Sequence, residues 1–260
     1  MPSSPRNLKA LLDKAVATYN QPGFIPNDPI SIPHRFNVLQ DREIIGLWTA
    51  VLAWGQRATI IRNAEQLITL MEGEPHRFVL EHSEKDLKRF LSFVHRTFNA
   101  TDALYFIHFF QRWYQQHVSL ETAFLPPDYM SSTDTGPMLQ HFHDTFFDDE
   151  LAPLRTRKHI ASPARNSSCK RLNMFLRWMV RRDDNGVDFG VWRQISPSQL
   201  VCPLDVHVQR VAMHFGLLKR HQSDWKAALE LSEALRRFDP EDPVQYDFAL
   251  FGLGVHQKMA

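Results

Sequence analysis

Two short stretches of this chain bring together residue types that do chemistry. In Cys169-Lys170-Arg171-Leu172-Asn173-Met174-Phe175-Leu176 a lysine stands where a helix opens. In Pro203-Leu204-Asp205-Val206-His207-Val208-Gln209-Arg210 an aspartate stands immediately before another. On the first helix Leu172, Phe175, Leu176 and Met179 mark the core side, and the 3.6-residue period turns Lys170, Arg177 and Arg181 to the exposed side. The positive end of a helix disfavours an ammonium, so Lys170 is expected to have a lowered pKa and to be a candidate amine nucleophile. A carboxylate at position 205 can cap its helix and still present an oxygen to a cavity. A lysine and an aspartate at two helix starts can carry imine chemistry. The residues alone also allow Lys170 to bind solvent or phosphate, and Asp205 to be only a cap.

Charge placement adds to this. Lys and Arg number 30 against 29 Asp and Glu in 260 residues, yet Leu151 to Arg182 holds no acid and nine bases. These are Arg155, Arg157, Lys158, Arg165, Lys170, Arg171, Arg177, Arg181 and Arg182. Such a stretch is either a footprint for a polyanion or a basic face that pairs with acids elsewhere in the fold. His143-Asp144 resembles the doublets that metal-dependent phosphohydrolases use, but no ordered set of further His and Asp accompanies it, so no metal is expected. The two cysteines, Cys169 and Cys202, make neither a disulfide framework nor a four-thiolate iron–sulfur cluster, and they fit a reducing, cytoplasmic setting. There is no P-loop and no GxGxxG. The chain has no 18-residue apolar run, and Met1 to Asn7 has no apolar core of a secretory signal.

The elements that must position these residues are helices. Apolar residues recur at helical spacing in Leu8–Tyr19, in Ile44–Leu52 with Asp41 near its start, and in Ile60–Leu70. Thr101-Asp102 opens an aromatic helix through Tyr114, a stripe that reads as core. Pro126-Pro127 and Ser131–Pro137 break the pattern before a short helix over Met138–Phe147. Lys170–Arg182 is helical and ends at the turn Asp183-Asp184-Asn185-Gly186. Asp205 precedes a helix stopped by Gly216, Ser223 caps one through Arg237, and Asp242-Pro243 starts the last. No alternating strand pattern or internal repeat stands out.

The two chemical stretches resemble the helix-hairpin-helix DNA glycosylase superfamily. Lys170-Arg171-Leu172-Asn173-Met174-Phe175-Leu176 is similar to the K-T-A-N-x-x-L pattern that carries the catalytic lysine in its endonuclease III-like and 8-oxoguanine glycosylase branches. Leu204-Asp205-Val206-His207-Val208-Gln209-Arg210-Val211 is similar to V-D-T-H-V-x-R-V, whose aspartate is catalytic there. Trp48 to Thr59 resembles the L-L-S-x-Q-x-T segment whose Gln-bearing loop meets opened DNA. The resemblance covers roughly residues 41–70 and 150–255. Phe93-Val94-His95-Arg96-Thr97-Phe98 and Tyr246 to Gly254 resemble DUF2400, a family of uncharacterised bacterial proteins. Three departures stand out. Ser162-Pro163-Ala164-Arg165-Asn166-Ser167-Ser168-Cys169 has no glycine where the superfamily hairpin reads L-P-G-V-G. The Lys–Asp spacing is lengthened by a loop near Asp183–Gln199, as in the archaeal 8-oxoguanine branch. The iron–sulfur cysteines are missing.

The resemblance implies an all-α, two-lobed, helix-hairpin-helix glycosylase-like fold forming one unit over residues 1–260. One lobe would span roughly 40–150, and the other roughly 1–39 with 151–260. It implies a DNA repair glycosylase, with or without AP-lyase activity, that excises an oxidised purine such as 8-oxoguanine from damaged duplex DNA without a cofactor. Lys170 and Asp205 would be catalytic. Gln56, Arg57, Arg165, Ser167, Arg171, Arg177, Arg181 and His207 would contact nucleic acid, and Trp54 would stack a flipped base or pack in the core. The rival is a non-catalytic DNA- or RNA-binding protein on the same scaffold.

Overall fold

The computed structural model describes residues 5–256. Met1–Ser4, the start of the stretch tested for a secretory signal, lies outside the described residues. The chain is all-α. Its helices are α1 (Pro5–Tyr19), α2 (Leu39–Leu52), α3 (Arg57–Leu70), α4 (Pro75–Glu81), α5 (Glu84–Leu87), α6 (Ala100–Tyr114), α7 (Gly136–Phe146), α8 (Lys170–Val180), α9 (Val206–His214), α10 (Trp225–Arg236) and α11 (Tyr246–His256). The one paired-strand element among the described residues is a hairpin of β1 (Val94–His95) and β2 (Phe98–Asn99). Among the described residues no helix is long and apolar enough to cross a membrane.

The chain divides into two compact units. One takes in the chain up to Ile25, Asp128–Pro137 and everything from Ser162 on; the other is Pro26–Pro127 with Met138–Ala161. The second unit is built on aromatic rings. Trp48 of α2 stacks on Phe106 and meets Phe110 edge-on, and Phe109 packs on Phe142 and Phe146. Asn99 caps α6 reciprocally with Asp102, which fixes where that aromatic stripe begins.

The first unit holds the chemical residues. Its core joins Leu8 and Leu12 of α1, Val208 and Val211 of α9, Leu231 and Leu235 of α10 and Leu250 of α11. α11 packs against both α1 and α9. Glycine makes this approach possible: a Cβ on Gly252 would lie 2.2 Å from the Tyr19 ring, and one on Gly254 would lie 3.2 Å from His207.

Several boundaries differ from the sequence expectation. The cap of α10 is Asp224, not Ser223, because its carboxylate accepts from the Ala227 amide. Asp242-Pro243 starts a 3-10 turn (Pro243–Gln245) without a side-chain cap, and α11 begins at Tyr246. α8 ends at Val180, where Arg181 becomes extended.

Candidate active site

Lys170 is the first residue of α8 and Asp205 the residue that caps α9. Asp205 Oδ1 accepts from the amides of His207 (2.8 Å) and Val208 (2.9 Å), which satisfies two of the orphan donors at that helix start. The other oxygen, Oδ2, lies 3.9 Å from Lys170 Nζ. The two side chains keep 28% and 20% of their surface exposed. The pair is thus an ion pair longer than a hydrogen bond, open to solvent, with both helix starts turned toward it. Asp205 thus caps its helix with one oxygen, as the sequence allows, and keeps the other beside Lys170.

The turn into α8 is formed without glycine. Pro163–Arg165 is a 3-10 turn capped by Ser162, whose hydroxyl accepts from the Ala164 amide. Asn166 (φ 56) and Cys169 (φ 50) then take the left-handed backbone that glycine usually supplies. Asn166 is held by a bond from its Nδ2 to Asp224 Oδ2 (3.2 Å). Ser167 Oγ accepts from the Cys169 amide (3.2 Å), so that hydroxyl is engaged in the turn itself. Arg165 is exposed and Arg171 half-buried. Burial pushes the Cys169 thiol up to about 12, which makes it inert as a nucleophile at neutral pH.

Arg177 and Arg181 are not phosphate contacts, and this corrects the sequence expectation. Their side chains are 6% and 3% exposed. Arg177 binds Asp188 (3.2 Å) and Asp247; Arg181 binds Asp183 (2.6 Å), Asp188 (3.2 Å) and Asp242 (2.9 Å). Every residue of α8 from Leu172 to Val180 is buried, so the outward face inferred from its apolar stripe is confined to the first turn, at Lys170 and Arg171. Arg155, in the other unit, pairs with buried Asp102. The acid-free stretch therefore finds much of its countercharge elsewhere in the fold.

Asp247 was not singled out by sequence. It is 5% exposed, in the first turn of α11, with Oδ2 on Arg177 and Oδ1 4.0 Å from Cys202 Sγ. Burial pushes its carboxyl up to about 6 despite Arg177, and the charge of Asp205 adds to the rise. The signal was available in Tyr246-Asp247-Phe248-Ala249-Leu250, where one acid sits in a run of core residues. His207 gives its backbone amide to Asp205, while its half-buried ring meets Phe251 edge-on and leaves Nδ1 without a partner.

The remaining expected residues lie in the other unit. Gln56 and Arg57 are exposed where α3 begins. Trp54 is half-buried, with His95 edge-on and the Arg96 guanidinium 4.7 Å over its ring. Arg96 sits at the hairpin tip with φ 57, and a Cβ on Gly55 would lie 2.7 Å from its guanidinium. The described residues contain no group of three or more His, Cys, Asp or Glu placed to hold a metal ion.

Fold and site together define an all-α protein that presents a lysine–aspartate pair on two helix starts. The family model of DUF2400, a protein of unknown function, matches residues 28–256, and the chain belongs to that family. Comparisons with curated proteins and with solved structures give no match.

Proposed function

We propose that this protein is a DNA repair glycosylase of helix-hairpin-helix type that removes an oxidised purine such as 8-oxoguanine from duplex DNA. The observation that carries the reading is the 3.9 Å approach of Lys170 Nζ to Asp205 Oδ2 at two partly exposed helix starts. In this reading the damaged nucleotide leaves the stack, at a cost of about a few kcal/mol. The neutral Lys170 amine forms a C–N bond at C1′ as the glycosidic bond breaks. The bonding pair departs with the base, which takes up a proton. Asp205 stabilises the positive charge that develops on the sugar and accepts the proton that the attacking amine sheds. Proton transfer to the ring oxygen then opens the sugar and leaves an iminium on Lys170. Exposed Arg165 in this unit, and Arg57 and Gln56 in the other, are the phosphate and duplex contacts of the proposal.

Borohydride trapping on duplexes carrying a panel of oxidised bases tests this. Wild type is expected to form a reduced covalent adduct on one of them. Lys170→Gln should abolish trapping and keep most duplex affinity. Asp205→Asn should slow excision by orders of magnitude while keeping the helix cap, since Asn also caps. Duplex binding with no excision of any base, unchanged in both variants, would leave the non-catalytic binding protein standing instead.

A further inference from the structure

The aromatic unit carries a cavity of about 350 Å³ that the proposed reaction does not use. It is lined by His141, Asp144, Thr145, Phe147, Asp148 and Arg157, all within the Met138–Ala161 stretch of that unit. His141, Asp144, Thr145 and Asp148 recur at i, i+3, i+4 and i+7, so they line one side of α7 and its exit, away from buried Phe142 and Phe146. Arg157 comes from a 3-10 turn, Leu154–Lys158. Its neighbours anchor that turn: Thr156 donates to buried Asp102 (2.8 Å), and Arg155 pairs with the same carboxyl group. The Arg157 guanidinium lies 5.2 Å over the Phe147 ring, which stacks parallel on Tyr105. Tyr105 in turn donates to the Phe146 carbonyl (2.7 Å), which fixes the exit of α7. Among the described residues Arg157 makes no hydrogen bond and no ion pair, and its Nε is buried without an acceptor. A held guanidinium and two carboxylates thus line one cavity without closing on each other.

We infer that this cavity binds a small zwitterion, an α-amino acid, with its carboxylate on Arg157 and its ammonium on Asp148. A partly buried guanidinium without a counter-charge calls for an acceptor, and a carboxylate offers two oxygens in the geometry of its fork. A plain anion would meet Asp144 and Asp148 as like charges. An ammonium on the same molecule removes that conflict. Asp144 is already engaged by Gln140 (2.9 Å) and His143 (3.1 Å). Asp148 gives Arg112 only its backbone carbonyl (2.6 Å), and its exposed carboxylate takes no hydrogen bond among the described residues. It also follows the C-terminal end of α7, whose partial negative charge favours a cation. A metal ion fits less well, since the described residues give no group of three ligands and Arg157 would repel it. The volume lies at the small end of ligand cavities, roughly 300–1,000 Å³, which suits a molecule of amino-acid size.

Isothermal titration of the full chain with each genetically encoded L-α-amino acid tests this and needs no DNA. At least one is expected to bind at a single site with a Kd below ~1 mM. Its N-acetyl derivative lacks the ammonium and its amide lacks the carboxylate, and each should bind ~10-fold or more weakly. Arg157→Met keeps an apolar stem on Phe147 and removes the cation. Asp148→Asn removes the charge of an exposed acid. Each variant should weaken the same amino acid by ~10-fold or more. If Arg157→Met does not fold, Asp148→Asn and the two derivatives decide the matter. No binding by any of the amino acids at ~10 mM, or binding that the variants leave unchanged, overturns the inference. So does acetate or inorganic phosphate that binds as tightly as the amino acid and gains affinity in Asp148→Asn, which is the behaviour of a plain anion site. The assay involves neither Lys170 nor Asp205, so its result stands whether or not borohydride trapping succeeds.

Discussion

Replacing Arg177 by methionine removes the cation that two buried carboxylates share. Methionine keeps the apolar stem against Phe248, over whose ring the guanidinium sits at 4.3 Å, so the loss is mainly one of charge. Asp188 has a fully buried side chain and Asp247 is 7% exposed at its side chain, and neither can reach water to compensate. Breaking a buried pair of this kind costs about 3–5 kcal/mol. In a chain of this length each kcal/mol is worth roughly 2–4 °C, so the melting point should drop by about 6–20 °C. The loss should depend on pH with a definite sign. A carboxyl held near 6 in the folded protein and near its ordinary 3.8 when unfolded binds its proton preferentially in the folded state. Its protonation favours folding fully below about pH 4, and that contribution disappears as pH rises through 6. Asp247 is therefore largely neutral at pH 5 and asks less of Arg177 there. Urea titrations followed by tryptophan emission should show a cost smaller by about 1–2 kcal/mol at pH 5 than at pH 7. The double variant Arg177→Met with Asp247→Asn should regain about half of the loss at pH 7. A cost below about 1 kcal/mol, equal at both pH values, is what a solvent-screened arginine gives, and would refute the buried-cluster argument.

Two further outcomes can be measured. The proposed function requires duplex affinity that falls with salt, with Arg57→Ala and Arg165→Ala each flattening the log–log slope by ~0.9, whereas Arg181→Met, measured on folded protein, should leave the slope alone. Gly252→Ala drives a methyl group to 2.2 Å from the Tyr19 ring and should cost about 1–3 kcal/mol in a urea titration, a cost that Tyr19→Ala in the same chain relieves.

The helices that carry the site were legible because their stripes are strongly periodic: Leu172, Phe175, Leu176 and Met179 are all buried as their spacing implies. Lys170 and Asp205 were legible as a lysine and a carboxylate at helix starts. Arg177 and Arg181 were misread because a helical wheel assigns polar residues to solvent. Here Asp183 and Asp188, from the loop after α8, and Asp247, from α11, close over that face and satisfy the guanidinium groups inside. An acid-free run in sequence says nothing about acids that arrive from elsewhere in the chain. Asp247 was missed for the converse reason, since a lone acid among core residues carries no periodic signal. The β1–β2 hairpin has two residues per strand, too few to alternate, and α4 and α5 are too short for a helical stripe to stand out.

The seating of α1 on α11 also bears on when the protein can finish folding. The apolar side of α1, with Leu8, Leu12 and Tyr19, finds its cover only when Gly252 and Leu250 have been made, more than about two hundred residues later. At ~5–20 residues per second that is a wait of roughly ten seconds to a minute on the ribosome. During it the first helix is an uncovered amphipathic segment, exposed to chaperones and to self-association. The second unit, ending at Ala161, has no such delay. Synthesis thus imposes an order: the aromatic unit can consolidate while the nascent chain is still growing. The unit bearing Lys170 and Asp205 closes only after the last helix is released, so a chain stalled before α11 would carry both chemical residues without the core that holds them together.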